Sequence, residues 1–301
     1  MTLDSINNPV KLSKDEQKIA VKVSLKETKI DKMEAELLKE DDEGEQASID
    51  VFCIIDKSGS MSGGKLDHVK QSLHYLLDLL KPEDRISITT FDSESQIVLK
   101  PKIIGKSREQ IEYAINSIKA GSATNIQSGL ERTFKCMHER ESKNQVTGVL
   151  LLSDGQDNKY FRKGGAIVDK FFKKNTDKYG KDDFTLHTFG YGKDHDEDLL
   201  EQISQKGNGK FYYVHDIELV SDNFVDCLSD LTSIVGINSY IDVFLTQSSI
   251  FPNLKFNKIY GTDIEKKNEL ELKLDLNNVT KGYSKDFIFE VTLEKSENPN
   301  S

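Results

Sequence analysis

Three short loops in this sequence carry oxygen-bearing side chains of the kind that hold a hard divalent cation. The loop Asp56–Ser60 places one carboxylate and two hydroxyls directly after the apolar stretch Val51–Ile55. The loop Gly121–Asn125 supplies a further hydroxyl, and the apolar stretch Val149–Leu152 runs into Ser153–Gly155, which contains a second carboxylate. Carboxylate and hydroxyl oxygens are ligands that Mg²⁺ and Mn²⁺ accept. One such loop is a weak signal, because Asp and Ser are common in turns and helix caps, but three in one chain favour a metal site.

The segment that contains these loops, from Asp50 to about Val235, alternates short apolar runs with helical patterns. This alternation predicts an α/β, Rossmann-like domain, with a doubly wound and mostly parallel sheet between two layers of helices. Ligands collect where the strands of such a sheet end, so we expect the three loops to meet at that edge. The predicted strands are Val51–Asp56, Arg85–Phe91, Val146–Ser153 and Phe184–Phe189, with shorter edge strands at Gln96–Leu99 and Phe211–Val214 and a last helix at about Glu218–Val235.

The flanks of this segment follow a period of two, which is typical of strands with one buried face. Ile19–Leu25 precedes the α/β segment, and three similar stretches follow it, at Ile241–Leu245, Leu270–Leu276 and Phe287–Leu293. An isolated strand cannot bury its apolar face alone, so we predict that the first stretch pairs with the later ones in a small antiparallel β-domain. The α/β domain is then inserted in it. The predicted parts are 1–48, which includes the acidic linker Glu40–Glu45, 49–236 and 237–301.

The three loops, in this order, resemble the metal-ion-dependent adhesion site of the von Willebrand factor A (vWA) domain, and the flanking strands resemble those of intracellular members of that family. The resemblance rests on Asp56-x-Ser58-x-Ser60, Gly121-x-x-Thr124-Asn125 and Ser153-Asp154-Gly155. It implies that Ser58, Ser60 and Thr124 are hydroxyl ligands, and that Asp56 and Asp154 coordinate directly or through water. The implied cofactor is Mg²⁺ or Mn²⁺ rather than Ca²⁺. Because only two ligands are charged, the ion can accept an Asp or Glu of a partner protein, which implies an interaction module and not an enzyme.

Loops beside the predicted metal site are expected to select the partner, because they follow strand ends at the same edge of the sheet. Each candidate residue also has a purely structural interpretation. Lys57 could be solvated, Asp157 could belong to a turn, and Asp194–Asp196 could cap the next helix. The predicted rim residues are Lys57, Asn125, Asp157, Asp194, His195 and Asp196.

One competing motif points to nucleotide hydrolysis. Gly59–Lys65 satisfies G-x-x-x-x-G-K, and Asp154 follows an apolar strand as the acidic residue of such an enzyme would. A phosphate-binding loop needs Ser or Thr at the next position to hold Mg²⁺, but this chain has Leu66, so we interpret Lys65 as a solvated residue at the start of a helix. The alternatives to an interaction module are therefore a metal-dependent hydrolase of phosphoesters or nucleotides, and a scaffold with a vestigial site.

The composition of the chain limits the classes of partner and the cellular compartment that we expect. The 41 basic and 51 acidic residues give a formal net charge of −10, which argues against nucleic acid or an anionic membrane as the partner. No apolar run approaches the about 20 residues of a membrane span, and the start of the chain lacks a signal-peptide pattern, so we expect a cytoplasmic protein. The cysteines form no C-x-x-C pair, which predicts buried free thiols at Cys53, Cys136 and Cys227.

Overall fold

In the computed structural model the chain divides into two units, Glu45–Ser233 and the combination of Met1–Gly44 with Ile234–Ser301. The first unit is therefore an insertion in the sequence of the second. The residues that the structure describes are 2–5, 17–26, 48–157, 160–161, 165–179, 184–215, 217–246, 254–261, 263–280 and 283–293.

The described residues form strands β1 to β13 and helices α1 to α6, numbered in chain order. The strands are β1 (Thr2–Ser5), β2 (Gln17–Lys26), β3 (Ile49–Asp56), β4 (Arg85–Phe91), β5 (Ser95–Ile103), β6 (Val146–Ser153), β7 (Thr185–Tyr191), β8 (Asn208–Val214), β9 (Ile234–Phe244), β10 (Leu254–Tyr260), β11 (Ile264–Lys266), β12 (Glu271–Thr280) and β13 (Ser284–Leu293). The helices are α1 (Gly64–Leu79), α2 (Ile104–Ser117), α3 (Ile126–His138), α4 (Ala166–Tyr179), α5 (Glu197–Lys206) and α6 (Ile217–Thr232), and a 3₁₀ turn spans Gly59–Met61.

The α/β unit has one six-stranded sheet, in the spatial order β5-β4-β3-β6-β7-β8. Neighbouring strands are parallel, except that β4 and β5 form an antiparallel hairpin at one edge. Every residue of β3 and β6 is buried, because these strands lie in the middle of the sheet between helices. The predicted doubly wound, mostly parallel sheet is confirmed. The pairing of β3 with β6 brings their C-terminal ends side by side.

Helices pack on this sheet through apolar stripes with a spacing of three or four residues. Helix α3 packs especially closely, because Gly129 faces the sheet. A Cβ at this position would lie 2.7 Å from Phe91 Cδ1 and 3.0 Å from Ile54 Cγ2, so any larger residue would push the helix away. In α1 the buried stripe consists of Leu66, Val69, Leu73, Leu76 and Leu77.

The second unit contains two antiparallel sheets that share one apolar core. Their strand orders are β1-β2-β13-β10 and β11-β12-β9. Strand β2 pairs along its whole length with β13, from Gln17 opposite Leu293 to Lys26 opposite Ser284. The predicted pairing of the N-terminal stretch with C-terminal strands is therefore correct. The core residues are Val23, Phe256, Leu272, Leu274, Leu276, Phe287, Phe289 and Val291.

Three strands of this unit were not predicted, and the last helix ends earlier than expected. In β10 a bulge between Phe256 and Ile259 interrupts the period of two, and Phe256 is the one buried residue of that strand. Strands β1 and β11 span only four and three residues, too few for a periodic signal. Helix α6 ends at Thr232, and Val235, which was expected on the helix, belongs to β9. Consecutive β-branched residues favour the strand there.

Other expectations concern the thiols, the membrane and the linker. Cys53, Cys136 and Cys227 are free and buried, as predicted. Among the described residues, no helix is both long enough and apolar enough to cross a bilayer. The predicted linker Glu40–Glu45 lies outside the described residues.

His187 on β7 is a titratable side chain in the core, with only 2% of its surface exposed. Its Nδ1 accepts the backbone N–H of Lys210 at 3.2 Å, and its Nε2 has no hydrogen-bond partner among the described residues. Burial lowers the pKa of His187 to about 4; the charges of Asp230 and Asp226 oppose this and that of Lys210 adds to it. The fold therefore holds the neutral imidazole.

We predict that His187 makes the α/β unit sensitive to acid. The unfolded chain protonates this residue near pH 6.5 and the folded chain only near pH 4, so the free energy of unfolding falls as the pH falls through that window, by up to about 3 kcal/mol. In His187→Gln this contribution is absent. Urea unfolding of both proteins at about pH 7 and about pH 4 measures the difference. An equal acid-induced loss in the two proteins would contradict the prediction.

The close packing of α3 gives a second prediction. Gly129→Ala should destabilise the α/β unit by about 1–3 kcal/mol, because the added methyl group overlaps Phe91 and Ile54 in a packed core. The matched control is Gly64→Ala at the start of α1, where nothing lies within 4 Å of the added Cβ. Alanine has the higher helix propensity, so this control should be neutral or stabilising. Denaturant unfolding compares the variants, and equal stabilities would refute the close approach.

Candidate metal centre

The first candidate loop follows the C-terminal end of β3, and one of its backbone N–H groups donates to the carboxylate of the same loop. Asp56 and Ser58 are fully buried, and the Ser58 N–H donates to Asp56 Oδ1 at 2.8 Å. The hydroxyl oxygens of Ser58 and Ser60 lie 3.0 Å apart. Adjacent ligands of an octahedral Mg²⁺, each about 2.0–2.1 Å from the ion, are separated by about 2.9 Å. The spacing of the two hydroxyls therefore fits two neighbouring positions around such an ion.

Two backbone hydrogen bonds join the second candidate loop to the first. The Gly121 N–H donates to the Lys57 carbonyl oxygen at 2.5 Å, and the Gly59 N–H donates to that of Ser122 at 2.6 Å. A Cβ on Gly59 would lie 3.2 Å from the Ser122 oxygen, so a glycine suits this close contact. The second loop also carries Thr124, which is 2% exposed.

The third candidate loop follows β6, the neighbour of β3 in the sheet. Ser153 Oγ donates to Asp56 Oδ2 at 2.5 Å and accepts the Gly155 N–H at 2.9 Å, so it orients the Asp56 carboxylate between the two loops. Asp154 is fully buried, and its carbonyl oxygen accepts the Asp196 N–H at 2.9 Å. The structure thus brings the three predicted loops together at one edge of the sheet.

The two carboxylates of the site repel each other. Burial raises the pKa of Asp56 to about 6; hydrogen bonds from Ser153 and Ser58 oppose the rise, and the charge of Asp154 adds to it. Two buried carboxylates are unfavourable unless a cation or hydrogen bonds compensate them. A divalent cation would relieve this repulsion, and the all-oxygen donor set suits Mg²⁺ or Mn²⁺.

Most of the predicted ligands are neutral hydroxyls, which distinguishes this centre from carboxylate-rich or imidazole-rich metal sites. Within the part of the chain that the structure describes, no group of three or more His, Cys, Asp or Glu side chains is arranged to hold a metal. A metal at this edge would therefore depend on hydroxyl oxygens for most of its protein ligands. The complete predicted set is Asp56, Ser58, Ser60, Thr124 and Asp154.

Lys65, interpreted from the sequence as solvated, instead contacts the centre. Its Nζ lies 3.2 Å from Asp154 Oδ2 and 3.1 Å from Asp194 Oδ1, and the side chain is 24% exposed. Gly192, with φ of +88°, makes room for it, since a Cβ there would lie 2.6 Å from Lys65 Cε. Only the fold places these residues together, because Gly192 and Asp194 follow a distant strand.

The same contacts weigh against the phosphate-loop interpretation. In a nucleotide hydrolase this lysine would serve the phosphates, whereas here Asp154 and Asp194 hold its ammonium group. The next residue, Leu66, is 6% exposed and belongs to the apolar stripe of α1.

Two of the predicted rim residues have partners within the protein. Lys57 Nζ lies 2.6 Å from Asp92 Oδ2, so its charge is paired and it is not simply solvated. Asn125 caps α3, because its side-chain oxygen accepts the Ser128 N–H at 3.2 Å. Asp92, in the turn between β4 and β5, is the partner that neutralises Lys57.

Two aspartates of the predicted rim are structural. Asp157 is 7% exposed, so its assignment to the partner surface is corrected: burial withdraws it from contact with a partner. Its carboxylate accepts three backbone N–H groups at 2.6 to 2.9 Å, those of Ile126, Tyr160 and Phe161. Asp196 caps α5 by accepting the Leu199 N–H at 3.1 Å, as the structural interpretation of that cluster expected.

Asp194 and His195 remain near the surface beside the centre. The Asp194 side chain is 67% exposed. His195 Nδ1 donates to the Gly192 carbonyl oxygen at 2.7 Å, and its ring stacks on Tyr213 with centroids 4.6 Å apart. Tyr213 is 39% exposed and did not emerge from the sequence, because its position on the outer strand β8 resembles that of any edge residue.

Comparisons with known proteins agree with this architecture. A family model described as the von Willebrand factor type A domain matches residues 50–226. The chain is 27% identical over 275 residues to YfbK of Escherichia coli (strain K12), covering 87% of this chain and 45% of that protein. It is 29% identical over 174 residues to inter-alpha-trypsin inhibitor heavy chain H1 of Bos taurus, covering 55% and 18% respectively. The chain therefore spans less than half the length of either relative.

Solved structures share the fold at low sequence identity. A von Willebrand factor type A protein from Catenulispora acidiphila aligns with a TM-score of 0.64 over 93% of this chain and 62% of that one, at 15% identity. The ArnB paralog VWA2 from Sulfolobus acidocaldarius aligns with a TM-score of 0.56 over 99% and 67%, at 18% identity. With the family model matched over more than half of its residues, the chain belongs to the von Willebrand factor type A domain family.

Proposed function

We propose that this chain is a divalent-cation-dependent protein-interaction module whose cation is Mg²⁺ or Mn²⁺. The observation that carries the proposal is the convergence of two buried carboxylates and a pair of hydroxyls 3.0 Å apart at the ends of β3 and β6. Von Willebrand factor type A domains are commonly protein-interaction modules. The residues that would hold the cation are Asp56, Ser58, Ser60, Thr124 and Asp154.

The bound cation would supply a Lewis-acidic position that accepts an Asp or Glu side chain of the partner protein. The chain's own groups prepare that position. The hydroxyls carry no charge, so only the two carboxylates offset the positive charge of the ion. The ion can therefore accept a further anionic ligand. Ser153 orients Asp56, and the hydrogen bonds between the loops hold the hydroxyls in place before any partner arrives. A partner with an acidic side chain is therefore compatible with a chain of net charge −10.

We propose no enzymatic reaction for this centre. Leu66 supports this choice, because it is an apolar, buried residue at the position where a phosphate-binding loop needs Ser or Thr to hold Mg²⁺. The surface that selects the partner would include Asp194, His195 and Tyr213, which lie beside the centre and reach solvent. The cytoplasmic location stays a prediction from the sequence.

The first test is removal of one hydroxyl. Thr124→Val replaces a predicted ligand with a side chain of the same shape, so calorimetric titration with Mg²⁺ or Mn²⁺ should show at least about tenfold weaker binding. The matched control is Thr89→Val on β4, where the hydroxyl is buried and has no hydrogen-bond partner among the described residues. This control should bind the cation as the wild type does. If the wild type and the double variant Asp56→Ala, Thr124→Val give equal heats of cation binding, the proposed site is wrong.

The second test concerns the partner. The immobilised chain should capture a protein from a lysate of its source cells in Mg²⁺, release it in EDTA, and recapture it when Mg²⁺ is restored. Thr124→Val should capture little, and Thr89→Val should behave as the wild type. Equal capture of the partner in Mg²⁺ and in EDTA would favour the scaffold with a vestigial site. Phosphoester or ATP turnover that disappears in Lys65→Ala would favour the hydrolase.

A further inference from the structure

Lys65 places a fixed positive charge on a candidate metal ligand. Its ammonium lies between Asp154, whose side chain is fully buried, and Asp194, whose side chain is 67% exposed. Among the described residues, Lys65 is the one cationic side chain within 4.0 Å of either carboxylate. It belongs to the first turn of α1, directly after the loop that carries Ser58 and Ser60.

The position of this ammonium bears on any cation at the centre. A divalent ion held partly by Asp154 would be repelled by a positive charge on the same carboxylate, and the repulsion is strong because the surroundings are largely buried. The ammonium of Lys65 lies 3.2 Å from Asp154 Oδ2, on the carboxylate that the divalent ion would need. The ammonium and the divalent ion thus compete for one carboxylate.

We infer that Lys65 is an internal competitor of the divalent cation, which neutralises Asp154 in the metal-free protein and leaves it when the metal binds. The inference rests on the proposed metal-dependent function of the site. The ion pair compensates the charge of the buried Asp154 carboxylate. It also makes occupancy of the site sensitive to the concentration of the cation, since binding must first displace the ammonium.

Displacement would also alter the surface beside the centre. Asp194 lies between β7 and α5, where Gln156 Nε2 donates to its carbonyl oxygen at 2.6 Å and to its Oδ2 at 3.3 Å. Once it leaves Asp154, Lys65 has one carboxylate partner instead of two. Its ammonium is then more exposed, next to the position where an acidic partner would bind.

Titration with Mg²⁺ alone and with Mn²⁺ alone tests this competition. Lys65→Gln should bind the cation about tenfold more tightly than the wild type, because Asp154 is no longer neutralised. Lys65→Arg keeps the charge and should stay close to the wild type. The matched control is Lys70→Gln, which removes the same charge from the next turns of α1, where Nζ contacts the Asn116 carbonyl oxygen at 3.4 Å. Its affinity should stay within about twofold of the wild type.

A second readout follows the lysine itself in the wild-type protein. An amine-acylating reagent should modify Lys65 faster in Mg²⁺ than in EDTA, because the displaced ammonium gains access to solvent. Lys70 should react equally in both conditions, and mass spectrometry of the peptides measures both residues. This readout still decides the question if Lys65→Gln does not fold, which thermal unfolding would reveal.

The outcomes separate the two proposals. If the wild type and Lys65→Gln bind the cation equally, or if the variant binds more weakly, Lys65 is not a competitor although the metal site stands. The competition would also be overturned if the protein binds Mg²⁺ but Lys65 is acylated at the same rate in Mg²⁺ and in EDTA. Absence of binding in the wild type and in every variant would overturn the metal function and the role of Lys65 together.

Discussion

The parallel pairing of β3 with β6 is the constraint on which the candidate centre depends. Their register sets Ile55 opposite Leu152, so the next residue of each strand, Asp56 and Ser153, emerges at the same level. The hydrogen bond from Ser153 to Asp56 then locks one carboxylate in place, and Asp154 follows at once. Parallel strands are buried on both faces, which is why these carboxylates lie in a low-dielectric setting where charge must be compensated.

Compensation of charge explains much of the local arrangement. Asp56 receives hydrogen bonds, Asp154 receives an ammonium, and Lys57 is paired with Asp92 in the adjoining loop. Such pairs add little to stability where they are exposed, but next to a buried carboxylate they determine whether the group can stay charged. The acidic excess of the chain as a whole says little about this edge, where individual contacts set the local potential.

The glycines of the centre serve close approach between loops. Gly59 lets a carbonyl oxygen of the second loop come near, and Gly192 leaves the volume that the Lys65 side chain fills. A larger residue at Gly59 would crowd the contact between the two loops, and one at Gly192 would displace the Lys65 side chain. The second unit rests on another long-range contact, the pairing of β2 with β13 from opposite ends of the chain, which gives β2 the partner that an isolated strand lacks.

The amino-acid sequence by itself determined the alternation of strands and helices, the antiparallel flanks and the three oxygen-rich loops, because these follow from local periodicity and residue type. It could not reveal β10, where a bulge removes the periodic signal, or that Asp157 is buried. Only the tertiary structure decided that Lys65 reaches Asp154 and Asp194, or that Tyr213 stacks on His195. Such pairs are distant in sequence, and their contact depends on strand order and loop packing, which leave no periodic trace in the chain.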